Sequence, residues 1–261
     1  MLISFYAAPR LTPRFYPVVL RNLLVWRKLA VPSVVGNIAE PLITLVAFGY
    51  GLGSIVGRID GLPYVTYLAS GSIAVSCALA ATFESLYSAF SRMHVQKTWE
   101  SIMNAPIALD DIVFAEMLWA ALKSLFSVAA IMVVIFALGI SRAPTMLLAL
   151  PLLGIVGVTF ASIALVFNAL AKGYDFFTYY FTLVLTPMTF LSGVYFPIAQ
   201  MPGWLQAVAA VLPLTAAVEL VRPLVIGEMP HAWLEPLAVL AAYAFGGYYL
   251  ALVLTRRRFY K

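Results

Sequence analysis

The chain has a single cysteine, two histidines and only 10% charged residues among 261. Cys77 alone cannot close a disulfide or hold a thiolate cluster within one chain. His94 and His231 stand far apart, without the close His/Glu spacing of a zinc site, so no metal is expected. No G-x-x-x-x-G-K-[ST] loop is present to cradle phosphates, and Gly49-Tyr-Gly-Leu-Gly53 lacks the strand-turn-helix setting that would give its glycines that meaning. Nor is there a close acid and histidine set for general acid–base work, so no catalytic residue is assigned. The scarcity of charge excludes an ordinary soluble domain, which carries roughly a quarter charged residues.

Hydrophobic residues make up 63% of the sequence. At about 20 apolar residues per crossing, six spans and their connections fill the length and leave no room for a soluble catalytic domain. The fold class is therefore an all-α integral membrane protein in one domain over 1–261. Its transmembrane helices are predicted at 33–56, 65–89, 119–140, 145–169, 175–196 and 234–254. Pro9, Arg10, Pro13 and Arg14 replace the apolar core of a removable signal peptide, so the first span is expected to insert and stay.

Residues 14–29 read as an interfacial amphipathic helix. Arg14, Arg21 and Lys28 follow at seven-residue steps on one face, while Phe15, Val19, Leu23 and Trp26 are expected to meet the acyl boundary. With both termini inside, twelve cations lie on the inner side: Arg10, Arg14, Arg21, Arg27, Lys28, Arg92, Lys97, Lys172, Arg256, Arg257, Arg258 and Lys261. Only Arg58, Arg142 and Arg222 lie outside, and Lys123 is left within a span, free to snorkel inward. The positive-inside rule then puts the N- and C-termini in the cytoplasm.

Within the spans, Gly49, Gly53 and Gly57 recur at four-residue steps and offer a smooth packing face. Glu40, beside Pro41, and Glu84 are carboxylates that hydrocarbon penalises unless they face a wet cavity or find a partner. Glu84 shares a face with Cys77, Ala81, Ser88 and Ser91, a small polar stripe suited to a substrate path; a structural pair with Lys123 is the competing reading. Tyr174, Phe176, Phe177, Tyr179, Tyr180 and Phe181 open the fifth span, and Phe190, Tyr195 and Phe196 close it, offering flat faces to sugar rings or acyl chains. Interfacial aromatic belts account for such residues equally well. Of these, Phe177, Tyr180, Phe181 and Tyr195 are assigned to the substrate path with Glu40, Glu84 and Ser88.

Broken backbone at membrane depth must be shielded by protein or line a cavity. Gly193, Pro197, Pro202, Pro213 and Arg222 mark such a stretch, and the 197–225 region is read as an outer gate with short re-entrant helices at 202–212 and 216–225. On the inner side, 92–112 is the longest connection and holds a short helix stopped by Pro106. Trp99, Ile102 and Met103 form one apolar patch flanked by Lys97 and Glu100, as if made to enter a partner's groove. Asp110 and Asp111 favour the start of the next helix by capping and through its dipole.

The interfacial helix, the six spans, the Trp99-Glu-Ser-Ile-Met-Asn-Ala-Pro106 helix and the Ser192-Gly-Val-Tyr-Phe-Pro197, Pro202-Gly-Trp-Leu205 and Leu212-Pro-Leu-Thr215 pattern resemble type-2 ABC exporter permeases over essentially the whole chain. Phe83-Glu-Ser-Leu-Tyr87 through Ala105-Pro-Ile-Ala-Leu-Asp-Asp111 is most similar to the NodJ group, which exports lipo-chitooligosaccharides with a NodI ATPase. The resemblance implies a bacterial inner-membrane permease that pairs with a second copy of itself and with two copies of a NodI-like ATPase. ATP and Mg would be bound by that ATPase and no cofactor by this chain, with membrane lipid and a lipo-oligosaccharide as the other partners and no nucleic acid. Lys97, Trp99, Glu100, Ile102 and Met103 would then couple to the ATPase. Two alternatives stay open: the same machine moving a hydrophobic drug, a polysaccharide or an ion, and a proton-coupled carrier that uses intramembrane acids.

Overall fold

A computed structural model describes residues 5–260, apart from the side chains of Asn37 and Glu40. Helix α1 (Phe15–Arg27) lies against the long helix α5 (Leu109–Ala137). Phe15 meets Phe114 edge-on, and Trp26 packs against Trp119 and Phe126. This corrects the expectation that Phe15 and Trp26 face lipid: two of its large rings dock on the bundle, and Leu20, Leu24 and Val25 are the exposed apolar side chains instead.

Helix α2 (Ala30–Val56) carries Pro41 in its interior, which removes a backbone donor, and it widens into a π-helical stretch over Leu45–Leu52. That widening breaks the four-residue register expected of the glycines. A Cβ on Gly49 would come within 2.9 Å of Val65, whereas Gly57 ends the helix at φ +71° and meets nothing. Helix α3 (Tyr64–Val95) is the central post and packs against α5, α6 (Pro144–Leu170) and α9 (Pro213–Ile226). Its first five turns are rich in Ala, Ser and Gly, and small side chains let neighbouring helices approach closely. The α5–α6 seam is tight at Gly157, where a Cβ would lie 2.7 Å from the Ser124 hydroxyl.

After the short helix α4 (Thr98–Met103), α5 starts ten residues earlier than the predicted 119. The polar residues Asp110, Asp111 and Glu116 do not delay it, because each has a partner described below. The 175–196 region holds α7, a helix of three joined pieces: Asp175–Tyr180, a π-helical Phe181–Leu185, and Thr186–Leu191. At 1.5 Å per residue these pieces reach about 25 Å, shorter than the other spans. Pro187 opens the last piece, where its missing N–H and its ring favour the irregular turn before it. Helices α8 (Gly203–Ala210) and α9 follow with an 82° bend between them, and α10 (Leu234–Phe259) runs back along α6. Among the described residues, five helices are long and apolar enough to cross a membrane, or six if the bent pair is one span.

Candidate functional site

The α4 end of the bundle contains a buried chain of four charges. Glu84 on α3 accepts from Lys123 Nζ (2.6 Å) through Oε2, and through Oε1 from Arg92 Nη2 and Trp119 Nε1 (both 2.8 Å). Arg92 also donates to Glu116, through Nε at 2.9 Å and Nη2 at 2.5 Å. Glu116 in turn accepts from the indole N–H of Trp99 on α4 (3.1 Å). Two acids and two bases make the set neutral, which is how buried ions avoid an unpaired desolvation cost.

The local backbone makes this possible. Residues eight apart on a regular α-helix are turned from each other by about 80°. Glu84 and Arg92 both lie in π-helical stretches (Glu84–Ser88 and Ser91–Val95), whose wider turns rotate the chain less per residue and bring the two side chains together. On α5, Glu116, Trp119 and Lys123 share one face at three- and seven-residue spacing. Sequence reasoning missed Glu116, although that spacing was the available signal.

Trp99 is buried, at 1% exposure, with its ring stacked 6.1 Å from Phe259. The expected outward patch is thereby corrected. Trp99 faces its own bundle, Ile102 and Met103 are half-buried against the core, and Lys97 and Glu100 form the exposed face with Ser101 and Asn104. A six-residue helix cannot sustain itself in water, so burial of its tryptophan anchors α4 and leaves the polar side outward. Lys97 starts α4 in the left-handed region (φ 50°).

Next to the charge chain, α1, α3, α5 and the approach to α7 border an open cavity of about 420 Å³. Glu84, Ser88, Ser91, Arg92 and Lys123 line it, together with Tyr87, Tyr174, Trp26 and Trp119. The Ser88 stripe thus reaches a cavity, and Glu84 is at once its wall and the partner of Lys123. Arg21, also in the wall, donates to the Asn22 side-chain carbonyl (3.0 Å). Desolvation lowers the Arg21 pKa, the Arg92 charge adds to that, and Glu116 partly opposes it.

The aromatic series divides. Phe177 and Tyr180 are buried in the core, against Phe90 and Phe167 respectively. Phe181 is half-buried and touches Phe83 (4.8 Å) and Tyr87 (6.2 Å), while Tyr174 stacks on Tyr87 at 6.0 Å. The fifth-span aromatics and the Glu84 stripe therefore meet at Tyr87. The backbone of Glu40 lies in α2, but its side chain is outside the described residues.

Asp110 and Asp111 sit in the first turn of α5, where the helix dipole favours them, but they do not cap it; the N-cap is Ala108. Instead Asp110 pairs with buried Arg256 (2.5 Å) and accepts from the Arg10 backbone N–H (2.9 Å), while Asp111 takes the Thr12 N–H and hydroxyl (both 2.7 Å). Arg256 also donates to the Ala7 carbonyl, tying the N-terminal segment down. Arg258 donates to the carbonyls of Asn168, Ala169 and Ala171 at the end of α6. Several cations expected to flank the membrane are structural fasteners; Lys261 lies outside the described residues.

The opposite end is organised on one carbonyl. Gly193 adopts φ +72°, a conformation that excludes most side chains, and its carbonyl accepts from Tyr67 OH and Arg222 Nη2 (both 2.8 Å). Arg222 also donates to Ser70 Oγ (3.1 Å) and lies 3.9 Å over the Tyr67 ring. Tyr195 stacks on Phe190 and, with Pro41, Thr44 and Ser72, lines a crevice of about 30 Å³ between α2 and α3. Pro197, Pro202 and Pro213 each stand at the start of a helical turn, where proline's fixed φ suits the chain. That is why α9 starts at 213 instead of 216.

Among the described residues no group of His, Cys, Asp and Glu could hold a metal ion. The arrangement offers binding surface and buried, paired charge. The ABC-2 type transporter family matches residues 15–226. Nodulation protein J of Sinorhizobium fredii (strain NBRC 101917 / NGR234) is 42% identical over 238 residues, 91% of each chain. Nodulation protein J of Rhizobium leguminosarum bv. viciae is 44% identical over 238 residues, 91% of this chain and 92% of that one. The inner membrane transport permease YadH of Escherichia coli (strain K12) is 24% identical over 195 residues, 74% of each. The chain belongs to the ABC-2 type transporter family and is a multi-span permease of that family, the membrane part of an ABC exporter.

Proposed function

We propose that this permease moves a lipo-oligosaccharide out of the cytoplasm, as a pair of copies driven by two copies of a NodI-like ATPase that binds ATP and Mg. Relatives named nodulation protein J over nine-tenths of the chain support the cargo class, and the relative named an inner membrane transport permease supports the location. The cation asymmetry supports cytoplasmic termini, with α4 facing the ATPase and the Gly193–Arg222 end facing outward. In this reading 197–225 is an outer re-entrant gate, and α1 lies at the inner interface.

The observation that carries the reading is the continuous path of side chains from α4 to the cavity: Trp99 to Glu116, Arg92, Glu84 and Lys123. Closure of the ATPase pair would push on the exposed Lys97–Glu100 face, and Trp99 would pass the displacement to α5 and α3. Coupling requires two arrangements that differ in their contacts, and a buried ion set has few acceptable arrangements. A proton-coupled carrier needs an acid free to load and release protons; Glu84 is instead held by two cations and an indole N–H.

The permease co-purified with its ATPase and reconstituted in vesicles should accumulate an N-acylated chitooligosaccharide only with ATP and Mg. Uptake by the permease alone under a pH gradient would reverse the assignment.

A further inference from the structure

A second opening, an open groove of about 950 Å³ between α5, α6 and α10, shares no wall with the charge chain. Leu237, Ala241, Ala244, Phe245 and Tyr248 line it at the three- and four-residue steps of one α10 face. Ala241 and Ala244, with Gly154 of α6, add too little bulk to close the seam between the two helices. Phe245 stands at the lip, 76% exposed in the middle of a helix apolar enough to span a membrane, so the groove opens on hydrocarbon and not on water. From Leu237 to Tyr249 it follows α10 for about 18 Å at 1.5 Å per residue. That is about the depth of one leaflet, half of a hydrocarbon core roughly 30 Å thick.

The two ends of the groove differ in charge. Glu235, in the first turn of α10, precedes Leu237 at one end. At the other, Pro9 and Leu11 form the wall, and Arg10 between them is exposed. Its backbone N–H is held by Asp110, while its guanidinium makes no ion pair among the described residues. Tyr249 donates to the Tyr6 carbonyl (2.8 Å), and the Tyr6 hydroxyl accepts from Arg257, which brings a second exposed cation to the same rim. Arg14 is tied nearby to the Pro106 carbonyl. With Arg256 included, four cations stand against Asp110 and Asp111, so the rim keeps a positive balance after its internal pairing. A basic rim over an apolar groove between membrane helices is the chemistry that holds an anionic headgroup.

We infer that this groove binds an anionic phospholipid, with one acyl chain lying along α10 over Ala241 and Ala244 and the phosphate at Arg10 and Arg257. The lipid fills the open seam and joins the N-terminal segment to α10, beside the ties that Arg256 already makes. It is a bound component of the fold and not the cargo. In the proposed orientation its headgroup lies in the cytoplasmic leaflet.

The test uses the full-length permease, extracted in mild detergent from vesicles of equal parts dioleoylphosphatidylglycerol and dioleoylphosphatidylcholine, with the retained lipid counted by native mass spectrometry. Wild type should retain phosphatidylglycerol in preference to phosphatidylcholine. Arg10→Gln removes an exposed charge without touching the backbone N–H on Asp110, and should lower that preference about fivefold, the worth of one cation near a membrane surface. Arg257→Gln should add a similar loss. Ala241→Phe fills the groove and should abolish retention of the lipid; if it does not assemble, Arg10→Gln decides alone. Retention unchanged in Arg10→Gln and Ala241→Phe overturns the inference, as does equal retention of both lipids by wild type. A shift of Ala241→Phe from dimer to monomer in sedimentation, with no lipid retained by wild type, also overturns it and assigns the groove to a second copy. Neither ATP nor cargo enters the measurement, so its failure leaves the export reading standing, and failure of export leaves the lipid site standing.

Discussion

Helices α2 and α3 have equal mean hydropathy, yet 12% of the apolar window of α2 is buried against 78% of that of α3. Hydropathy therefore says which segments leave water, but not which of them form the interior. The difference lies in side-chain size and polar placement. α3 offers Ala, Ser and Gly to its neighbours and carries Glu84 and Arg92 into buried pairs. α2 presents Val31, Val35, Ile43, Val46, Phe48 and Ile55 outward, a surface suited to lipid or to a second copy.

The largest effect that separates the two helices is expected from charge. Arg92→Leu in α3 strands Glu84 beside one remaining cation and leaves Glu116 with none of its own, so it should destabilise the chain by about 3–5 kcal/mol, seen as loss of assembled protein and a lower unfolding temperature in detergent. Survival at wild-type stability would mean that the ion chain is hydrated and adds little to the interior of α3.

Close packing comes next. A Cβ on Gly71 of α3 would stand 3.1 Å from both the Val194 Cα and Arg222. Gly71→Val should therefore cost about 1–3 kcal/mol and loosen the Gly193 carbonyl from its two donors. Ile55→Ala in α2, where the side chain is 82% exposed, should change the stability of a single chain by less than about 0.5 kcal/mol. If a second copy covers α2, Ile55→Ala would shift the dimerisation equilibrium instead, which a sedimentation measurement separates from unfolding.

The same contrast explains what could be read from the sequence. Long apolar runs, Pro106, and the Gly and Pro markers around Gly193 and Pro213 placed the helices and their breaks, because these depend on local chemistry. The sequence offers the Glu84–Lys123 pair as one of two readings, but it does not show that Glu84 both pairs and lines a cavity, since a one-dimensional pattern cannot show three helices converging. Trp99 was misdirected for a related reason. A short apolar face next to lysine and glutamate looks the same whether its groove belongs to a partner or to its own bundle. Asp110 and Asp111 followed the dipole rule, but their hydrogen bonds went to residues about a hundred positions away.

The coupling route is tested most directly by Trp99→Phe, which keeps an aromatic ring against Phe259 and removes the N–H that reaches Glu116 together with part of the indole's bulk. The measurement is ATP hydrolysis by the permease–ATPase complex with and without an N-acylated chitooligosaccharide. A fall of about tenfold in the ratio of stimulated to unstimulated hydrolysis, with the two proteins still co-purifying, is the expected result. An unchanged ratio would show that the signal from the ATPase reaches the cavity by a route that bypasses Glu116.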